Sequence, residues 1–104
     1  MPAEKLNIDD ISDFLDRLKS QVSSKLSVTK VILFGSFARG DATSVSDIDL
    51  AFELKDPAEW AQLVDTIQAN ARSLRKIDLI CLPHVSGNFK DKILNEGIVI
   101  FERK

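Results

Sequence analysis

The chain has 104 residues, of which 44% are apolar and 29% charged, with a formal net charge of −2. These values describe an ordinary globular domain with one core and exclude disordered or fibrous chains. The slight acidic excess speaks against a broad nucleic-acid-binding face, so Arg72, Arg75, Lys76, Arg103 and Lys104 read as solvated charges. A single cysteine, Cys81, excludes an internal disulfide and a cysteine zinc site, and reads as a small buried hydrophobe. No apolar run is long enough to span a bilayer, and the N-terminus lacks the apolar segment of a signal peptide. The expectation is one cytoplasmic domain over residues 1–104, with no direct nucleic-acid or membrane partner.

In chain order, Ile8, Ile11, Phe14, Leu15, Leu18, Val22 and Leu26 recur at three-and-four spacing and predict an amphipathic helix capped by Asn7. Val28 to Phe34 predicts a strand, covered on both faces at its end by the continuous Val-Ile-Leu-Phe. A short helical turn from Ser36 to Arg39 follows, closed by Gly40. From Asp47 to Leu54 the residues alternate, placing Ile48, Leu50, Phe52 and Leu54 on a core face and Asp47, Asp49, Ala51 and Glu53 on an acidic one. Asp56, Pro57 and Glu59 start a second long helix, whose apolar stripe runs Trp60, Leu63, Val64, Ile67, Ala71 and Leu74. Residues 75–81 predict a third strand, 83–86 a loop bearing the lone His84, and 88–96 a helix offering Phe89, Ile93 and Leu94. Ile98 to Phe101 predicts a fourth strand. The result is an α/β (α+β) fold: a small mixed sheet of about four strands with helices mainly on one face. The helix between the second and third strands suits a parallel crossover.

The chemistry concentrates between Gly35 and Leu50. Residues two apart on a strand share a face, so Asp47 and Asp49 present paired carboxylates, which repel unless a cation lies between them. Magnesium suits such a pair, because it takes oxygen ligands and is often completed by substrate phosphates. Asp-X-Asp alone reads equally as a solvated strand start. Gly35-Ser36 adds a turn where the backbone can approach a phosphate, with a serine hydroxyl as donor. Read alone, that turn is a tight strand-to-helix connection. A Walker loop is excluded, because no Lys-Ser or Lys-Thr follows the glycines. The two halves meet only if the first two strands are antiparallel. Asp78, flanked by apolar residues on the third strand, is then expected on the same sheet face as a third carboxylate and metal ligand.

Gly35-Ser36-Phe37-Ala38-Arg39-Gly40, Ser46-Asp47-Ile48-Asp49-Leu50 and Lys76-Ile77-Asp78-Leu79 together resemble the minimal nucleotidyltransferase (MNT) family of the DNA polymerase beta superfamily. The resemblance covers nearly the whole chain and implies a nucleotidyltransferase fold. It implies that Gly35 and Ser36 hold the β and γ phosphates of ATP, and that Asp47 and Asp49 bind two magnesium ions. Asp78 would share one ion and help activate the attacking hydroxyl. Arg39 would neutralise phosphate or tie the turn to a carboxylate. Small proteins of this kind are commonly paired, as antitoxins, with a helical HEPN-domain toxin, to which they transfer AMP at a tyrosine. Two alternatives stand beside that expectation: an inactive nucleotide-binding subunit that occludes its partner, and transfer to a small molecule of the aminoglycoside type. Base preference and homo- or hetero-oligomeric state are left open by the sequence.

Overall fold

The structure, a computed structural model, describes residues 5–25, 27–70 and 76–103. Asn7 opens the first helical segment through a capping box. Its side chain accepts from the Asp9 N–H at 2.9 Å, and the Asp10 carboxylate accepts from the Asn7 N–H at 2.8 Å. One 3-10 turn, Ile8–Ile11, leads into helix α1 (Ser12–Ser23). The helix ends at Ser23, where the serine run of the sequence weakens it: the Ser23 and Ser24 hydroxyls donate back to the carbonyls of Ser20 and Gln21. Leu26 lies outside the described residues. Strand β1 (Val28–Phe34) and the one-turn helix α2 (Ser36–Arg39) have the predicted bounds, whereas β2 (Ile48–Leu54) begins one residue after Asp47.

Asp56 caps the next segment by accepting from the Ala58 N–H at 3.1 Å; Pro57–Glu59 form a 3-10 turn before α3 (Trp60–Asn70). The expected stripe members Ala71 and Leu74, and Arg72 and Arg75, lie outside the described residues. Strand β3 (Ile77–Cys81), a 3-10 turn carrying the exposed His84, α4 (Gly87–Glu96) and β4 (Ile98–Glu102) complete the order. The sheet runs β3-β2-β1-β4; β1 is antiparallel to both neighbours and β2 is parallel to β3. No helix among the described residues is long and apolar enough to cross a membrane.

Alternation along β1 and β2 sorts the core into two layers. On one face Val31, Leu33, Ile48, Leu50 and Phe52 pack against Phe14, Leu15, Leu18 and Val22 of α1 and Leu63 and Ile67 of α3. Phe52 is fully buried and meets Trp60 with ring centroids 5.7 Å apart, so Trp60 belongs to the core edge. The opposite face holds a smaller cluster of Ile32, Phe34, Ala51, Leu82 and Ile93, with α4 above it. Ala51, read from sequence as part of an acidic face, is therefore buried. The Phe89 and Leu94 side chains, expected on the inner stripe of α4, are 44% and 50% exposed, because that helix seats on the sheet through Ile93.

Arg103 is not the free surface charge its position suggested. Its Nε donates to the Val28 carbonyl at 3.1 Å, and Nη2 donates to the carbonyls of Val22, Ser23 and Lys25 at 3.2–3.3 Å. The guanidinium thus closes the C-terminal end of α1, where unpaired carbonyls and a partial negative charge collect. Its backbone N–H also pairs with the Thr29 carbonyl at 2.8 Å. Arg103→Ala is expected to lower unfolding free energy by roughly 1–3 kcal/mol, the cost of losing charged hydrogen bonds to part-buried carbonyls. Urea denaturation measures this directly; a loss below 0.5 kcal/mol, about the noise of a neutral surface substitution, contradicts the capping role.

Candidate active site

The end of β1 sets the site. Its antiparallel register with β2 pairs Phe34 with Asp49, so the chain leaves the sheet directly beside that carboxylate. Gly35 then adopts φ 77° and ψ −154°, a conformation open to glycine almost alone. A β-carbon at Gly35 would occupy the space filled by the Asp49 carboxylate. Ser36–Arg39 make one helical turn, which Gly40 ends in a left-handed conformation while donating to the Ser36 carbonyl at 3.0 Å. The return to β2 is pinned at two points. Leu6 and Ala42 form an isolated bridge, and the Thr43 N–H donates to the Ser46 hydroxyl at 2.8 Å.

Asp47 enters just ahead of β2, and parallel pairing places Asp49 and Asp78 in register on neighbouring strands. Three carboxylates thereby converge on one face. Asp49 shows the electrostatic consequence: its pKa rises from 3.8 to about 6. Desolvation is the largest cause, followed by the charge and hydrogen bonding of Asp78 and then the charge of Asp47; Arg39 opposes them weakly. A cleft of about 530 Å³ opens over this cluster, lined by Gly35, Ser36, Arg39, Asp47, Asp49 and Asp78 among others. All six residues singled out from sequence therefore reach one cavity.

The donor set consists of oxygen atoms only, which fits magnesium and disfavours zinc or copper. Among the described residues, no three acidic, histidine or cysteine side chains enclose an ion unaided. Such a partial shell leaves positions for water and substrate oxygens, as magnesium sites at phosphates do. Asp47 and Asp49 are the residues that would hold the ions, with Asp78 beside them.

Three cleft residues on one side of α4, Phe89, Lys92 and Glu96, were not read from the sequence as part of the site. Phe89 meets Phe34 edge-on with centroids 6.2 Å apart. Glu96 accepts from the Gly35 N–H at 3.1 Å and from Arg39 Nη1 at 3.3 Å, and Asp41 holds Arg39 Nε at 3.4 Å. Their i, i+3, i+7 spacing marks one helix side, but nothing local says that this side meets the turn after β1. That depends on the sheet order.

The Methanocaldococcus jannaschii protein named "Putative protein adenylyltransferase MJ0126" is 26% identical over 93 residues, spanning 88% of this chain and 95% of its own. Among solved structures, a toxin–antitoxin complex with AMP-PNP superposes with a TM-score of 0.67 at 21% identity, covering 86% of this chain and 74% of its counterpart. A complex of tri-AMPylated Shewanella oneidensis HEPN toxin with MNT antitoxin gives 0.62 at 18% identity, covering 88% and 72%. At these identities the superpositions establish a shared nucleotidyltransferase fold. The family model for polymerase beta nucleotidyltransferases matches residues 16–104. With nearly the whole chain so matched, the protein belongs to the polymerase beta nucleotidyltransferase family.

Proposed function

We propose that this protein is a magnesium-dependent protein adenylyltransferase that transfers AMP from ATP to a hydroxyl, most simply a tyrosine, of a HEPN-domain toxin and so acts as its antitoxin. The observation that carries the reading is the register of Asp49 with Asp78 beside the Gly35-Ser36 turn, all within one cleft. Gly35 and Ser36 receive the β and γ phosphates, and Arg39 borders them. Two magnesium ions at Asp47 and Asp49 would supply charge neutralisation for the in-line displacement. Asp78 faces the incoming hydroxyl and orients it, accepting its proton directly or through water. The hydroxyl oxygen bonds to the α-phosphorus, the bond from that phosphorus to the bridging oxygen breaks, and pyrophosphate leaves.

A partner-borne acceptor is supported by the surface as well as by the relatives. Phe89 and Leu94 of α4 and Val99 of the edge strand β4, on the α4 side of the sheet, are exposed apolar side chains, 44–50% accessible. Phe89 continues into the cleft wall, so a protein docked there would lie next to the carboxylates.

Incubation with ATP, magnesium and the product of the neighbouring gene, read by intact mass, is expected to add one or more AMP units of about 329 Da to the partner. No addition under conditions where a related pair works overturns the transferase reading. Neutralisation that survives Asp47→Asn with Asp49→Asn, in a variant still folded and complexed, favours occlusion instead.

A further inference from the structure

The β1–β2 ladder extends to Phe34 and Asp49, but the β1–β4 ladder stops earlier, at Leu33 and Ile98. Gly35 therefore leaves the sheet with its amide beyond the last partner that β4 offers. Glu96, two residues ahead of Ile98, takes that place. Its Oε1 accepts from the Gly35 N–H at 3.1 Å and also from Arg39 Nη1 at 3.3 Å, with its side chain only 19% exposed. The position of Glu96 is itself constrained. Gly97 follows it so tightly against the Ile32 side chain and the Ile93 carbonyl that no β-carbon fits there, and its N–H bonds the Ile93 carbonyl at 2.9 Å.

We infer that Glu96 is a positioning residue for the nucleotide. It holds the Gly35 amide and the Arg39 guanidinium with one carboxylate oxygen, so that the turn keeps its left-handed form with Ser36 facing the cleft. Gly35 is then held at its nitrogen by Glu96, while the Asp49 carboxylate fills the space where a β-carbon would stand. The partners explain the residue type. One acceptor must satisfy a backbone donor and a cation together, and a charged hydrogen bond is about twice as strong as a neutral one. The inference rests on the reading that phosphates bind at this turn.

Calorimetric titration of the full chain with the magnesium complex of a non-hydrolysable ATP analogue tests it. Glu96→Gln keeps the acceptor for Gly35 but loses the charge opposite Arg39, and is expected to weaken binding by about 3- to 10-fold. Glu96→Leu loses both and is expected to weaken it by about 10- to 100-fold. Combining Glu96→Leu with Arg39→Ala is expected to cost little more than the worse single change, because the two side chains act through one contact. The partial rescue by glutamine separates positioning from bulk folding, and where the leucine variant does not fold, the glutamine variant alone decides. Binding by both variants within twofold of the unaltered chain overturns the inference. Tighter binding overturns it too, since Glu96 would then be competing with phosphate. An unaltered chain that binds no nucleotide overturns the functional reading and this inference with it, whereas binding by every variant alike sinks the inference alone.

Discussion

Gly35→Ala is expected to abolish nucleotidyl transfer and to destabilise the fold at once. Two independent costs meet at this position. The backbone angles, φ 77° and ψ −154°, lie where an alanine is strained by roughly 1–3 kcal/mol. The added methyl group would also have to displace the Asp49 carboxylate. Relaxation therefore moves either the Gly35-Ser36 turn or the Asp49 carboxylate, and under the proposed function loss of one well-placed electrostatic group costs about 10²–10³ in rate. The measurements are AMP transfer to the proposed partner and the melting temperature of the variant. Retention of more than a tenth of the activity would show that the turn and the carboxylate do not act as a unit.

Asp49→Asn is expected to slow the enzyme by roughly 10²–10³-fold, while making the metal-free protein more stable at neutral pH. The sign follows from the pKa. In the folded chain Asp49 titrates near 6, against 3.8 for the ordinary group, so between those values the folded state holds a proton that the unfolded state has lost. Stability from this site is present at pH 4 and declines as pH rises to 6. Above pH 6 the ionised carboxylate carries the full penalty of its desolvation and of its acidic neighbours. Asp49 is only half-buried, and solvent screening reduces the effect to about 1 kcal/mol, or about 4 °C in a domain of this size. Melting curves from pH 4 to pH 7.5 should show the asparagine variant pulling ahead above pH 6 and converging with the unaltered chain near pH 4. Magnesium should reverse that order, since the ion favours the ionised carboxylate, and its affinity should fall below pH 6. Identical pH profiles for the two proteins would rule out the crowded carboxylate cluster.

The elements that carry the Gly35-Ser36 turn and the carboxylates were legible because local rules govern them. Strand β1 ends where an apolar run meets glycine, the capping residues Asn7 and Asp56 are satisfied as their types suggest, and the alternation of β2 places Asp49 correctly. The antiparallel β1–β2 pair followed from the need to bring the Gly35-Ser36 turn beside Asp47 and Asp49, and the parallel β2–β3 pair from the helix-length connection between those strands. What sequence did not disclose depends on β4. Its placement beside β1 brings the end of α4 to the turn, and only there does Glu96 become more than a helix-terminal charge. The same edge carries Arg103 to the carbonyls of α1, a contact spanning some 80 positions of chain that no local pattern encodes. Phe89 and Leu94 misled for the opposite reason: helical spacing marks a stripe, but α4 buries little more of it than Ile93.

The parallel pairing of Asp49 with Asp78 has a consequence for how this catalyst tolerates change. The spacing of the two carboxylates is set by a ladder of backbone hydrogen bonds across adjacent strands, from Ile48 with Ile77 to Phe52 with Cys81. The chain linking Leu54 to Ile77 contributes nothing to that distance. With Leu63 and Ile67 of α3 kept in the core, added length in that connection costs little, since enlarging a loop raises closure entropy only logarithmically. Insertions beyond α3, even of a whole folded module, should leave the chemistry in place, whereas a two-residue slip of β3 along β2 would keep every core side chain on its face and still separate the acids by nearly 7 Å. Register, rather than loop length, is the tolerance to which this active site is built.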